Sequence, residues 1–317
     1  MIRKLFFTLL LISMTAGAYA QQEAQFTQFM YNQLYFNPAY AGARGMPSFT
    51  LIYRNQWTGF KGAPTSKLLS FNAPLFGDRV GFGLTIHNQT IGIYNNWAAV
   101  MAYSYNIRFN EETSLRFGLQ GKMQYYGIDF SDPSVIVRDP TDASIKYDQS
   151  TSKYTGNFGV GMHLKIKQMF FGIGAPAFFP SEVGFNTNSL VPQVAEESSH
   201  YYFIAGTLLP LTQNIQFKPT GLFKYVYNAP PSIDLNLSMV FNLVFTAGVS
   251  YRFTEGRSTS DSFDILALYQ MNNFAIGVAY DVPVSEVKSE KGGSFEILLR
   301  YDFIKETTDM ANPRFFF

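Results

Sequence analysis

From residue 48 onward the chain alternates apolar with small or polar side chains at a period of two. Between Ser114 and Tyr125, Leu115, Phe117, Leu119, Gly121, Met123 and Tyr125 fall on one side, and Ser114, Arg116, Gly118, Gln120, Lys122 and Gln124 on the other. Only a strand separates alternate residues this way. Val80, Phe82, Leu84 and Ile86 alternate in the same manner with Gly81, Gly83, Thr85 and His87, and Phe158 to Ile166 with Asn157 to Lys165. Strands of this length and pattern fit a transmembrane β-barrel. The pattern predicts 14 antiparallel strands near 48–54, 66–73, 79–88, 97–107, 113–128, 154–166, 168–175, 199–209, 215–226, 233–241, 243–253, 262–270, 273–281 and 294–303. The odd-numbered connections are expected to be long, such as 127–153 and 176–198, and the even-numbered ones tight, as at Lys167-Gln168 and Asn242. Bacterial barrels pair short periplasmic turns with longer outer loops, so both termini are expected in the periplasm.

Composition sharpens this reading. Charged residues make up 15% of the 317 residues, against about 25% in a soluble domain, which disfavours a soluble β-sandwich. The chain has 32 Phe, 20 Tyr and no Cys; the aromatics exclude disorder, and the absence of Cys excludes a disulfide scaffold and thiolate metal sites. With 24 Lys and Arg against 23 Asp and Glu, no electrostatic footprint for nucleic acid exists.

Arg or Lys on the lipid face at mid-bilayer costs about 2–4 kcal/mol. The strand charges are therefore expected to face the lumen: Arg116, Lys122, Lys165, Lys224, Arg252, Arg300, Asp234, Asp264, Glu296 and Asp302. Phe295, Ile297, Leu299, Tyr301 and Phe303 should then meet lipid. Tyr103, Tyr105, Tyr125, Tyr126, Tyr201 and Tyr202 suit the interfacial girdles, where a ring sits half in hydrocarbon and half in water.

The flanks differ from the strands. Arg3 and Lys4, the apolar run from Leu5 to Met14 and Ala18-Tyr19-Ala20 form a secretory signal pattern, so residues 1–20 are expected to be cleaved. Residues 21–47 are expected to form a periplasmic aromatic segment that plugs the lumen or docks on a partner, 48–303 the barrel, and 304–317 a periplasmic tail. That tail either folds back on the periplasmic rim or serves partner binding or sorting.

Candidate chemistry is sparse. His87, His163 and His200 lie on different strands or their ends without metal or triad spacing, and read as lumen or rim residues. Gly81-x-Gly83, Gly159-x-Gly161 and Gly172-x-Gly174 lack the third glycine and helix of a dinucleotide site, and are expected to relieve crowding on the inner wall or let the barrel bend. Asp129, Asp132, Asp139, Asp142 and Asp148 gather on an outer loop without EF-hand order, and read as a solvated acidic loop. No nucleophile–base pair stands out, so no enzyme activity, metal or cofactor is expected.

The segment Gln25-Phe26-Thr27-Gln28-Phe29-Met30-Tyr31-Asn32, followed by Asn37-Pro38-Ala39-Tyr40-Ala41-Gly42, carries the most specific motif. It resembles the Q-F-x-Q-x-M-x-N…N-P-A-Y-A-G opening of the PorP/SprF family of type IX secretion system membrane proteins. Tyr53-Arg54-Asn55-Gln56-Trp57 with Gly62-Ala63-Pro64-Thr65, and the closing Pro313-Arg314-Phe315-Phe316, are also similar to that family. The resemblance implies an outer-membrane accessory of protein secretion in Bacteroidota-type bacteria, serving gliding-type adhesins in some members. It implies partners among periplasmic and lipoprotein components, the translocon and secreted cargo. Gln25, Phe26, Gln28, Met30, Asn32, Asn37, Pro38, Tyr40, Gly42, Arg54, Trp57, Pro313, Arg314, Phe315 and Phe316 are the candidate partner-binding residues. A 14-stranded barrel is narrower than the open porins of about 16–18 strands, so folded cargo would not pass through it. The alternative is a channel or transporter for hydrophobic solutes.

Overall fold

The computed structural model describes residues 24–135, 150–182, 196–227, 229–255, 261–284 and 292–303. The expected signal sequence, the Pro313–Phe316 tail motif and Asp139, Asp142 and Asp148 lie outside these residues. Long strands alternate with turns from residue 48 on: β1 Ser48–Asn55, β2 Thr65–Leu75, β3 Val80–Ile91, β4 Tyr94–Arg108, β5 Thr113–Asp129, β6 Ser150–Ile166, β7 Met169–Ala177, β8 His200–Thr207, β9 Ile215–Val226, β10 Ser232–Phe241, β11 Phe245–Thr254, β12 Ser262–Met271, β13 Phe274–Pro283 and β14 Ser294–Asp302. Each pairs antiparallel with its sequence neighbours, and β1 closes on β14 with Ser48 opposite Asp302 and Asn55 opposite Phe295. The result is a closed 14-stranded antiparallel barrel. Two-residue strands also occur, at Leu209–Pro210 beside β9 and at Ser181–Glu182 paired with Glu196–Glu197. The expected strands all appear, with ends displaced by a few residues.

Connections at the end of the barrel that holds Ser48 and Asp302 are tight. Asn242 and Asn272 turn two of them at positive φ (49° and 48°), which Asn tolerates better than other side-chain-bearing residues. One connection departs from the expected alternation. β3 and β4 are joined at the opposite end by Gly92-Ile93 alone, with Gly92 at φ 56°, so that hairpin projects no long loop.

The alternation sorts most side chains as the sequence implied; Tyr202, expected in an interfacial girdle, instead faces the lumen and is buried against Phe36. Leu119, Met123, Phe158 and Met162 point outward and are exposed, whereas Arg116, Gly118 and Gln120 between them are buried inside. An apolar outer belt and a polar inner wall are what a barrel in lipid requires, since closure satisfies every ladder hydrogen bond. No helix among the described residues is long and apolar enough to cross a membrane; the strands cross instead.

The inner wall is not polar throughout. Ile52, Leu68, Phe170, Ile204, Leu222, Leu266, Leu268 and Leu298 face inward and are buried, joined by Ala275 and Ala279. They pack on Phe26, Phe29, Met30, Tyr31 and Phe36 from the N-terminal segment. The hydrophobic core of this molecule thus lies inside the barrel, between wall and segment.

Candidate functional site

Residues 24–47 fill the lumen. The segment has no long helix; it advances by three single-turn 3-10 helices, Phe29–Tyr31, Gln33–Tyr35 and Pro38–Tyr40. Three residues per turn brings successive rings around the axis, so the segment presents apolar side chains to several walls at once. Phe26 meets Tyr35 edge-on at 5.2 Å, Tyr35 meets Phe36 at 5.0 Å, and Phe36 meets wall residue Tyr202 at 5.1 Å between centroids. The last turn is set locally by Asn37-Pro38. The Asn37 side chain accepts from the Ala39 N–H at 2.9 Å and donates to the Met162 carbonyl at 2.8 Å, so one amide caps the turn and ties it to β6.

Glycines carve the wall to the shape of this backbone. A Cβ on Gly81 would overlap the Ala41 carbonyl, one on Gly118 the Ala39 amide, one on Gly174 the Phe36 carbonyl, and one on Gly161 the Asn37 side chain. On Gly83 it would come within 2.8 Å of Leu34. The strand glycines Gly81, Gly83, Gly161 and Gly174 therefore relieve crowding on the inner wall, and what crowds there is the N-terminal segment, whereas at Gly159 it is Pro176 and Gln120 of the wall.

Ionic anchors hold the segment at two levels. At the level of β13 and β14, the Glu296 carboxylate accepts from the backbone N–H groups of Thr27 and Gln28, both at 2.9 Å. Arg54 donates to Thr27 Oγ1 at 2.8 Å and reaches Asp281 at 2.5 Å and Glu296 at 3.4 Å. The Thr27 hydroxyl donates to Asp281 at 2.6 Å. At the end of the barrel near Ser48, Arg44 forks onto Asp302 with bonds of 2.9 and 2.8 Å, and Arg300 joins the same carboxylate at 3.2 Å. Buried charges survive only when paired and hydrogen-bonded, and these carboxylates find their partners on the segment as well as on neighbouring strands. Between the anchors Gly42 N donates to Asn72 at 2.5 Å, Ser104 to the Ala41 carbonyl at 2.6 Å and Ser70 to Asn32 at 3.1 Å.

The candidate residues can now be placed. Phe26, Gln28, Met30, Asn32, Asn37, Pro38, Tyr40 and Gly42 are buried against the inner wall and Gln25 is half-buried. They point at the barrel rather than at the surroundings. Arg54 lies within the anchor, while Trp57 is half-buried in the β1–β2 loop, its N–H donating to Ser294 at 3.2 Å. The expected lumen charges all sit on the inner side. Arg252 and Lys224 pair with Asp234 at 2.5 Å each, Arg116 pairs with Asp78, and Arg300, Glu296 and Asp302 belong to the anchors. Asp264 is buried opposite Ser250 and Asp281 in register, and Lys122 and Lys165 are half-buried.

Arg44, Asp281 and Asp78, which complete the ion pairs, and Thr27, which hydrogen-bonds to Asp281 and Arg54, escaped the sequence reading. A usable signal for Asp281 existed, since it occupies an inward position of β13 in the alternation. The lumen histidines are ring partners: His87 with Phe26 and Tyr35, His163 stacked on Phe170 at 5.6 Å. Among the described residues no group of three metal-ligating side chains forms. In the acidic loop Asp129 and Asp132 accept from the backbone N–H groups of Ser131 and Ser134, and the Ser134 bonds hold Asp132 below the usual carboxylate range.

An apolar outer belt, closed antiparallel strands and a lumen filled by the chain's own N-terminal segment define a plugged barrel of the outer-membrane type. The chain belongs to the PorP/SprF family: the model for "Type IX secretion system membrane protein PorP/SprF" matches residues 18–301. It is an integral protein of the outer membrane. No curated protein sequence matches it. In fold it is similar to the Ralstonia pickettii toluene transporter TbuX (10% identity, 88% of this chain and 94% of that one, TM-score 0.52). It is also similar to the deltaS2S3 mutant of the TodX monoaromatic hydrocarbon channel (10%, 85% and 93%, TM-score 0.51) and to the CymD monoaromatic hydrocarbon channel (13%, 92% and 96%, TM-score 0.50).

Proposed function

We propose that this chain is a non-conducting, non-enzymatic accessory barrel of the type IX secretion system, linking periplasmic machinery to the translocon or to a secreted adhesin-type cargo. One observation carries the reading: the lumen is occupied by residues 24–47, locked at Glu296–Arg54–Asp281 and at Asp302–Arg44. A barrel that spends its interior on its own chain is suited to presenting its rims and loops. On this reading the end of the barrel that holds Ser48 and Asp302 faces the periplasm, and its short turns with the Pro313–Phe316 tail meet periplasmic or lipoprotein components. The long loops at the other end meet translocon or cargo. The motif residues from Gln25 to Gly42 then act on partners indirectly, by fixing the rim above the plug. The test is a mild-detergent pull-down of the tagged protein from outer membranes with mass spectrometry. Co-purification of secretion components supports the proposal, and a lone barrel overturns it.

The likeness to hydrocarbon channels favours a second reading, a conduit for hydrophobic solutes. The plug weighs against it, because residues from Phe26 to Gly42 pack on the inner wall along the path a solute would take. Planar-bilayer recordings separate the two: near-zero current fits the accessory barrel, and solute-dependent permeation the channel.

A further inference from the structure

The plug has a direction. Followed from Ala24, its contacts descend the barrel in order. Thr27 and Gln28 meet Glu296 and Asp281, each near the end of its strand remote from Ser48 and Asp302. Asn32 meets Ser70 partway along β2, and Asn37 meets Met162 on β6. Ala41 then meets Ser104 toward the far end of β4, and Arg44 meets Asp302, the last residue of β14. The Phe303 N–H donates to the Pro47 carbonyl at 2.9 Å, and β1 begins at Ser48. The segment is thus held by its own peptide chain at the Ser48 end, and its free end lies at the other.

The chain ahead of Ala24 has one way out. Ala24 borders the cleft beside the plug at that end, with Gln89, Asn96 and Pro176. The wall is a closed ring of paired strands, which shuts off a sideways exit. The way back down the lumen is filled. Phe29, Met30 and Phe36 share one buried cluster with Ile52, Phe170, Leu222 and Leu298, drawn from strands around the barrel. Gly118, Gly161 and Gly174 leave only the space that the chain from Phe36 to Ala39 takes up. Packing of this density does not admit a second run of chain beside the first.

We propose that the amino-terminal end of the chain leaves the lumen by the mouth opposite Ser48 and Asp302, and is presented across the membrane from the short turns. Assigning that mouth to the cell exterior rests on the secretion reading above. On it the amino terminus stands at the cell surface, against the expectation that both termini lie in the periplasm. Cleavage after Ala20 leaves three residues ahead of Ala24, so the new terminus lies within about 11 Å of it. What a partner meets there is a polypeptide end, a ligand that proteins take up by adding it to a sheet edge or by capturing its amine. A pull from that side bears first on the Thr27 and Gln28 bonds to Glu296 and last on the Arg44–Asp302 fork. A periplasmic partner meets only the fixed end of the plug.

The chain has no cysteine, so single introduced thiols report the side of the membrane. Gln22→Cys, and Glu111→Cys in the exposed turn between β4 and β5, are each placed in the full chain in living cells. A maleimide carried on a polyethylene glycol too bulky for a porin is added before and after the outer membrane is permeabilised. Heat-modifiable migration verifies each barrel, and labelling of the denatured chain verifies each thiol. The expected result is labelling at position 22 on intact cells, and at position 111 only after permeabilisation. Both positions labelled on intact cells, or both labelled only after permeabilisation, would overturn the proposal, because the two then share a side. So would a position 22 that stays protected in both conditions. Position 111 labelled on intact cells, with position 22 labelled only after permeabilisation, would keep the proposal and overturn the orientation that the secretion reading assigns.

Discussion

Removing the Glu296 carboxylate should free the tip of the plug while leaving the barrel standing. In Glu296→Ala the N–H groups of Thr27 and Gln28 lose their shared acceptor at 2.9 Å. A hydrogen bond to a charged group is worth about 1.5–3 kcal/mol, so the two together hold the tip by about 3–6 kcal/mol. Arg54 keeps Asp281 at 2.5 Å and is not left unpaired. Opening of the plug should therefore become more frequent by about 10² to 10⁴. The chain has no cysteine, which makes maleimide labelling of a single introduced thiol free of background. Ser70→Cys supplies that thiol, because Ser70 is buried on the wall beneath Asn32. Its labelling rate in detergent, compared with and without Glu296→Ala, reads the change in opening directly. A rise below about tenfold would mean that the carboxylate does not hold the plug, and the anchor argument would fail.

Further outcomes follow from the same geometry. Gly118→Ala should expose a Ser104→Cys thiol to the same reagent, because the added methyl overlaps Ala39, whereas Gly121→Ala, with open space around it, should leave labelling unchanged. Leu237→Lys, on the lipid face of β10, should cost about 2–4 kcal/mol if it lies near the bilayer midplane, and Lys122→Leu on the inner face should cost far less; denaturant titration of the barrel in vesicles compares them. Deleting residues 25–42 should raise single-barrel conductance in planar bilayers from near zero to a stable open level, and an unchanged current would show that other parts of the chain close the lumen.

The barrel was readable because its physics is local. Every strand carries its own period-two pattern, and the penalty for charge in lipid assigns the faces, as Arg116 and Lys122 against Phe117 and Met123 illustrate. What the pattern concealed is the inner core. Ile52, Leu68, Leu222 and Leu298 look like lapses in the alternation, apolar residues beside apolar residues in Leu51-Ile52, Leu68-Leu69, Leu222-Phe223 and Leu298-Leu299. Each marks a place where the wall meets the aromatic plug, and pairing those lapses with the unusually aromatic segment 26–40 would have indicated the plug. The long-range ion pairs were not legible in the same way, since nothing in the spacing of Thr27, Arg54, Asp281 and Glu296 joins them before the barrel closes.

The central claim is that secretion proceeds around this barrel and not through it, and a covalent lock on the plug tests it most directly. Asn37 and Gly161 are suited to the lock. A Cβ at Gly161 would overlap the Asn37 side-chain oxygen, so the two Cβ atoms lie within roughly 4.5 Å, the span of a disulfide. Asn37→Cys with Gly161→Cys, replacing the native chain in the bacterium and oxidised in place, should support cargo secretion as well as either single variant does. Secretion lost in the bridged pair and retained in both single variants would show that the plug must leave for cargo to pass, and would contradict the account.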